Sequence, residues 1–160
     1  YNNYKTSGVA QIQKNKSGER FFNWIRSFKN TKIILKGDSI RSINEILNQK
    51  YHLVLASDQN AGGKGSVNNL FNMPTSTPKG AAILNIKNNI PIIISFIIMN
   101  TDYTYSIFSK KLNLDFDNQS TKEKVFSINE AYNKELEKTI IKYPEQYFWF
   151  HKKWNKKEYQ

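Results

Sequence analysis

Residues 32–56, KIILKGDSIRSINEILNQKYHLVLA, decide the predicted fold because a helical pattern lies between two short apolar runs. The runs cover residues 32–35 and 52–56. The apolar residues that recur between them at helical spacing are Ile40, Ile43, Ile46 and Leu47. Asp38 or Ser39 would cap this helix. A strand, a helix and a strand joined by short links form a βαβ unit, whose strands are parallel.

The segments on either side of this unit extend the same architecture. Upstream, residues 9–13 fit a short strand and residues 19–28 fit a helix. The broad apolar face of that helix contains Phe21, Phe22, Trp24, Ile25 and Phe28. Downstream, Thr77 would cap a helix that begins at Pro78. The apolar run at 91–99 predicts a further strand of the same sheet.

The carboxyl-terminal half predicts an antiparallel addition to this sheet and a long helix. Residues 103–108 alternate apolar and polar side chains, as a neighbour of the 91–99 strand would. Another short strand fits residues 112–114, and a helix fits residues 127–142 before Pro144 breaks it. We therefore predict an α/β fold, with a mixed, mostly parallel sheet flanked by helices.

Composition and size bound the class of protein. The chain has 160 residues, 39% of them hydrophobic and 14% aromatic, which is enough for a packed core and predicts a single domain over residues 1–160. The absence of cysteine excludes disulfides and thiolate metal sites. The two histidines, His52 and His151, are far apart in sequence, which argues against a histidine metal site. We expect neither a metal nor a cofactor.

The formal net charge of +11 indicates an anionic partner. Nucleic acid, an anionic membrane and an acidic protein all remain open on charge alone. The most apolar run, residues 90–99, is too short for a membrane-spanning helix, which needs about 20 residues. No signal peptide is present, and the chain does not start with Met, so we expect it to begin inside a longer protein.

A glycine-rich segment, residues 57–66, follows the strand predicted at 52–56. In open α/β sheets ligands bind beyond the carboxyl ends of the strands, so Asp58 is a candidate site residue. The alternative is an ordinary loop carboxylate that caps a turn. A Walker phosphate loop is excluded because Asp58 occupies the place of its first glycine, and Gly65 follows Lys64 where Ser or Thr is needed.

Two further segments combine groups that suit anions or lipids. Thr77, Lys79 and Gly80 lie at a predicted helix N-terminus, where free N–H groups attract anions, although simple capping explains them equally well. Residues 148–154 mix large aromatic side chains with lysines. That mixture suits a lipid interface, stacking on single-stranded nucleic acid, or packing of the aromatic rings on the sheet.

Five segments in a fixed order carry a resemblance to a known family. Lys14 follows a short strand, Arg26 lies on a helix, and Asp58-Gln59 ends an apolar strand. Residues 70–82 match a Phe-Phe-Gly-x-Pro-x-x-Thr-x-x-Gly-x-Ala pattern apart from its first and third positions. Residues 144–154, PEQYFWFHKKW, match a closing motif with Lys in place of Arg. The chain thus resembles the bacterial lipid A biosynthesis acyltransferases.

The resemblance implies a glycerolipid-acyltransferase-like fold and an acyl transfer. In such enzymes a histidine held by a carboxylate deprotonates a lipid hydroxyl, which attacks the thioester of an acyl carrier protein or acyl-CoA. By the same resemblance, the supporting catalytic residues here would be Lys14, Arg26 and Asp58. The substrate-binding residues would be Thr77, Lys79, Gly80, His151 and Lys152.

The family's catalytic His-x-x-x-x-Glu/Asp element lies upstream of its first basic motif, and no histidine precedes His52 here. We therefore expect the carboxyl-terminal part of an acyltransferase, inactive alone, from a protein at the cytoplasmic face of a bacterial inner membrane. The expected partners are acyl carrier protein, an anionic glycolipid and the membrane surface, without nucleic acid. The alternatives are a nucleic-acid-binding module that uses the 147–154 aromatics, and an acyltransferase for another lipid acceptor.

Overall fold

The computed structural model describes residues 4–27, 31–37, 40–116 and 118–154, with the backbone alone at 40 and 41. The chain divides into two compact units, Tyr1–Ala56 and Ser57–Gln160. The predicted α/β fold is confirmed, since helices occur together with one parallel sheet and two antiparallel ones. The single domain over residues 1–160 stays a prediction.

The first unit contains a parallel three-stranded sheet and two helices. Its elements are β1 (Thr6–Ala10), α1 (Lys16–Arg26), β2 (Thr31–Leu35), α2 (Ile40–Asn48) and β3 (His52–Val54). The strand order is β2-β1-β3, so the parallel arrangement predicted for the strands of residues 32–56 is confirmed. The helix cap predicted at Asp38 or Ser39 lies outside the described residues.

Helix α1 begins at Lys16, whereas the apolar pattern alone predicts a start at residue 19. The earlier start has a local cause, because the Asn15 side chain accepts hydrogen bonds from the N–H groups of Ser17 and Gly18 at 2.9 and 3.0 Å. These bonds satisfy two of the donors that every helix N-terminus leaves unpaired. The helix therefore includes a polar first turn that hydrophobic periodicity does not reveal.

The second unit contains two antiparallel hairpins and two helices. Its elements are β4 (Ser66–Leu70), β5 (Met73–Thr77), α3 (Gly80–Asn88), β6 (Ile93–Met99), β7 (Tyr105–Lys111) and α4 (Thr121–Lys142). Two 3₁₀ turns accompany them, Gly62–Lys64 and Pro144–Gln146. The antiparallel pairing predicted for the strands near 91–99 and 103–108 is confirmed.

Two strand predictions in this unit are wrong. Within the described residues β6 pairs with β7 alone, across a tight turn over residues 100–104, and does not extend the parallel sheet. The strand predicted at 112–114 is irregular. There the Leu112 N–H donates to the carbonyl of Ile92 at 2.9 Å, just beyond the end of the hairpin ladder.

The helix start predicted at Thr77 and Pro78 is also wrong. Phe71 and Asn72 have φ of 53° and 57°, which forms a tight turn and returns residues 73–77 beside β4. Thr77 is the last residue of β5 and pairs with Ser66. Helix α3 begins at Gly80, with Lys79 at the cap position.

Helix α4 organises the core of the second unit. It begins at Thr121, behind a capping box in which the Ser120 side chain and the Glu123 side chain each bond the other's backbone. Its buried residues are Val125, Ile128, Asn129, Asn133, Leu136 and Ile140. Val125 and Ile128 pack with Ala82 of α3 and Ile94 of β6, while Leu136 and Ile140 pack with Leu70 of β4. Within the described residues, no helix has the length and apolarity that a membrane crossing requires.

Candidate functional site

The closing segment 151–154 folds onto the loop that follows Asp58. The backbone N–H of Asn60 donates to Nε2 of His151 at 2.7 Å. The Asn60 side-chain amide donates to the carbonyls of Lys152 and Lys153, both at 3.1 Å. These three bonds join two motifs that lie more than 90 residues apart in sequence, so the Asp58 loop and the closing segment form one substructure.

Lys153 is the buried cation of this substructure, with only 1% of its surface exposed. Its Nζ donates to the carbonyl of Gln59 at 3.3 Å, and its own carbonyl accepts from Oγ1 of Thr75 at 2.8 Å. Burial lowers the pKa of Lys153 to about 8, and the negative charge of Asp58 opposes that shift. The ammonium group therefore lies within electrostatic reach of the Asp58 carboxylate.

Two tyrosines share this neighbourhood. Burial raises the pKa of Tyr147 to about 12, with a smaller contribution from the charge of Asp58. Burial likewise raises the pKa of Tyr132 on α4, and the charges of Asp58 and Tyr147 add to the effect. Both phenols are neutral near pH 7 and can donate a hydrogen bond. One buried cation and two neutral phenols thus lie within electrostatic reach of Asp58.

Strand β5 presents three buried hydroxyl groups to this region, and each has a partner. Thr75 bonds the Lys153 carbonyl, and Oγ of Ser76 donates to the carbonyl of Gly62 at 2.6 Å. Thr77 donates to Oδ1 of Asn133 at 3.2 Å, and the Asn133 amide donates to the Asn69 carbonyl at 2.9 Å. The predicted substrate residue Thr77 is therefore engaged within the fold.

The glycine-rich loop is packed closely against β5. A Cβ atom on Gly65 would lie 1.9 Å from Oγ of Ser76 and 2.9 Å from the Thr77 carbonyl, so no larger residue fits there. The Gly62 N–H also donates to the Asn60 side chain at 2.6 Å. The glycines thus allow the close approach of the loop to β5 that brings Asn60 to the closing segment.

The other predicted site residues lie in different places. Asp58 is exposed at its loop, while Lys79 and Gly80 lie at the N-terminus of α3. Lys14 and Arg26 belong to the first unit, at the two ends of α1. The Arg26 guanidinium lies 5.2 Å from the Phe22 ring centroid, and its buried Nη1 has no hydrogen-bond partner among the described residues.

Within the closing segment, sequence reasoning selected Lys152 and missed Lys153. The Lys152 side chain is exposed, and only its carbonyl contacts the Asp58 loop. Trp154 anchors the end of the segment, because its indole N–H donates to the Leu70 carbonyl at 3.1 Å. Residues 151–154 are irregular, so no helical or strand periodicity indicates which of the two adjacent lysines points inward.

The arrangement holds a buried cation within electrostatic reach of an exposed carboxylate, and the cation's own backbone is bonded to a buried hydroxyl group of β5. Among the described residues, no three His, Asp or Glu side chains lie close enough to hold a metal ion.

Comparison with known proteins gives the family. The family model described as "Bacterial lipid A biosynthesis acyltransferase" matches residues 2–156, which include both joined motifs and both ends of α1. No curated protein matches the chain significantly. The family supports an acyltransferase activity in general. Because the match spans nearly the whole sequence, the chain belongs to the bacterial lipid A biosynthesis acyltransferase family.

Proposed function

We propose that this chain forms the substrate-lining part of an enzyme that moves a fatty acyl group from a thioester to a lipid hydroxyl. The donor is acyl carrier protein or acyl-CoA, and the acceptor is a lipid A precursor or a related lipid. The observation that carries the proposal is the family match over residues 2–156. The surroundings of Asp58 agree with it and suggest what the chain contributes to the reaction.

Acyl transfer from a thioester passes through an oxyanion, so it needs fixed donors and cations near the reacting carbonyl. The neutral phenols of Tyr132 and Tyr147 and the Lys153 ammonium are groups of that kind, and each lies within electrostatic reach of Asp58. We assign Asp58 the task of orienting a cation or a donor toward the substrate. The lipid substrate's own negative charges would add to the attraction of a chain with net charge +11.

We propose that the general base is supplied from outside residues 1–160. His151 accepts a hydrogen bond at Nε2 from the Asn60 backbone, which occupies the lone pair that a base would use. His52 lies in β3, where its ring makes an edge contact with Tyr4. Neither histidine precedes the first basic motif, where the family carries its catalytic histidine. The chain alone is therefore proposed to be inactive.

The proposed partners are acyl carrier protein, a phosphorylated glycolipid and the cytoplasmic face of a bacterial inner membrane. All three are anionic, and charge complementarity with the +11 chain supports each of them. The binding of acidic carrier protein should weaken as salt is added, because exposed charges are screened.

The test is an acyl-transfer assay with carrier-protein thioester and acyl-CoA as donors, and with a lipid A precursor and an ornithine lipid as acceptors. The natural protein that contains this chain should transfer acyl groups, and residues 1–160 alone should not. Asp58→Asn in the longer protein should lower turnover on the order of a hundredfold, the scale of a lost electrostatic or acid–base contribution.

Asp102→Asn is the matched control, since Asp102 is an exposed carboxylate in the β6–β7 turn that accepts hydrogen bonds from Thr104. It should leave turnover unchanged. Full transfer by residues 1–160 would disprove the proposal that these residues lack the general base. Full activity of Asp58→Asn would disprove the role proposed for Asp58. Transfer to neither acceptor would reject the acceptor class.

A further inference from the structure

Helix α1 exposes its entire apolar side, and none of its residues is buried. Trp24 is 60% exposed and Phe21 is 55% exposed, and Phe22 and Ile25 are exposed as well. The Phe21 ring contacts the other two aromatic rings, with centroid distances of 5.7 Å to Phe22 and 6.1 Å to Trp24. They form a preassembled apolar platform on the surface of the first unit.

The opposite side of α1 is polar and basic. At 3.6 residues per turn, Phe21, Phe22, Trp24 and Ile25 occupy one arc of the helix. The other arc carries two cations and one acid, Lys16, Arg20 and Glu19, together with Asn23. Arg26 lies at the boundary, over the Phe22 ring. A short helix with an apolar arc of aromatics and a basic polar arc is the pattern of helices that lie in the plane of a lipid interface.

The net charge of the first unit also favours an anionic lipid surface as the binding partner of α1. Residues 1–56 hold ten lysines and arginines against three acids, a net charge of +7, whereas residues 57–160 hold fourteen against ten, a net charge of +4. The smaller unit, which carries α1, therefore has most of the excess charge. Basic side chains near an anionic surface each add about 1 kcal/mol of attraction.

We propose that α1 docks on an anionic phospholipid surface, with Phe21, Phe22, Trp24 and Ile25 inserted at the headgroup level and Lys16 and Arg20 directed at the phosphates. A second copy of the chain is the competing occupant, but it would bring two strongly cationic units together. The inference rests on the proposed function only in that both concern a lipid surface, because docking requires no acyl transfer.

The experiment is co-sedimentation of the 160-residue chain with vesicles of mixed phosphatidylglycerol and phosphatidylethanolamine, and with vesicles of phosphatidylcholine alone. The chain should bind the anionic vesicles, and added salt should weaken the binding. The double variant Phe21→Ser/Trp24→Ser should bind at least about tenfold more weakly, since it loses two large apolar side chains from the interface. Circular dichroism confirms that the variant keeps its helices.

Phe126→Ser is the matched control, because Phe126 on α4 is also a half-exposed aromatic, at 48%. It should bind as the unchanged chain does. The fluorescence difference between the chain and Trp24→Phe isolates Trp24, and its emission should shift to the blue on anionic vesicles. A Trp24 signal that vesicles do not change, or equal binding by the double variant and the control, overturns the proposal.

Self-association that the double variant abolishes, with vesicle binding unchanged, overturns it in favour of a second copy. Acyl transfer measured in detergent micelles separates this inference from the proposed function. Transfer that persists without vesicle docking rejects the docking alone. Docking through α1 by the longer protein, without any acyl transfer by that protein, rejects the proposed function alone.

Discussion

Helices α1 and α4 have the same local signals and opposite surroundings. Each begins behind a side-chain cap, Asn15 for α1 and Ser120 for α4, and each carries apolar residues at helical spacing. Yet α4 buries six residues and α1 buries none. Caps and periodicity therefore determine that a helix forms and which side is apolar. What covers that side depends on the neighbouring elements, and α4 has two hairpins and α3 to pack against.

The largest test of this contrast removes apolar volume from each helix. Leu136→Ala in α4 should lower the free energy of unfolding by about 2–5 kcal/mol, because Leu136 is only 4% exposed and packs against Leu70. Phe21→Ala in α1 should change it by less than about 0.5 kcal/mol, since an exposed side chain leaves no cavity. Urea unfolding measures both. Equal losses would show that the α1 platform is buried in solution.

The next test concerns a buried amide. Asn133→Ala should lower the free energy of unfolding, measured in urea, by about 1–3 kcal/mol. The substitution leaves the buried Thr77 hydroxyl and the Asn69 carbonyl without the partner that the Asn133 side chain supplies. Asn23→Ala on the exposed polar side of α1 is the control and should be neutral within about 0.5 kcal/mol. A neutral Asn133→Ala would mean that water replaces the lost amide.

Removing the two caps compares the helices at their N-termini. Ser120→Ala should cost about 1 kcal/mol in urea unfolding, because fraying of α4 exposes core side chains. Asn15→Ala removes an equivalent cap, but α1 has no buried side chains to expose. Its effect should therefore appear as faster hydrogen exchange in the first turn of α1, with little change in unfolding midpoint. A large midpoint shift for Asn15→Ala would contradict the exposed position of α1.

The sequence predicted those features of the fold that local chemistry determines. The parallel strands of residues 32–56 and the antiparallel partner of β6 follow from apolar runs and alternation. The 73–77 strand was missed because Pro74 and the threonines suggest a turn, whereas the positive φ of Phe71 and Asn72 creates the hairpin. The β6 error had a different cause, since an apolar run predicts burial but not which strand it pairs with.

In the candidate site, too, the local features were predicted and the contact between distant segments was not. Asp58 and the closing motif were identified from their residues, but their junction was not. The junction runs through the backbone N–H of Asn60, a group that every residue except proline has. It also runs through Lys153 and not Lys152, and that choice depends on the packing of Trp154 on β4. Hydrogen bonds that join a side chain to a backbone group some 90 residues away leave no recognisable pattern in the sequence.

The last and smallest effect extends the contrast from apolar side chains to cations. Lys16 and Arg20 on α1 are exposed, whereas burial lowers the pKa of Lys153 to about 8 from its ordinary value of 10.5. Between pH 8 and pH 10.5, Lys153 is protonated in the unfolded chain and has lost its proton in the folded chain. The folded state therefore becomes more stable as pH rises through this range. Below pH 8 both states are protonated and the dependence vanishes.

Tyr147 limits the upper end of that window. Its pKa is raised to about 12, so above its ordinary value of 10 the folded chain keeps a proton that the unfolded chain loses, and stability falls with further rise in pH. The stabilisation from Lys153 should therefore be measured by urea unfolding between pH 8 and 10. Lys153→Met should lack this rise, while Lys152→Met should retain it, because the Lys152 side chain is exposed. The same rise in both variants would mean that the group responsible is not Lys153. It would contradict the interpretation of Lys153 as a buried cation within electrostatic reach of Asp58.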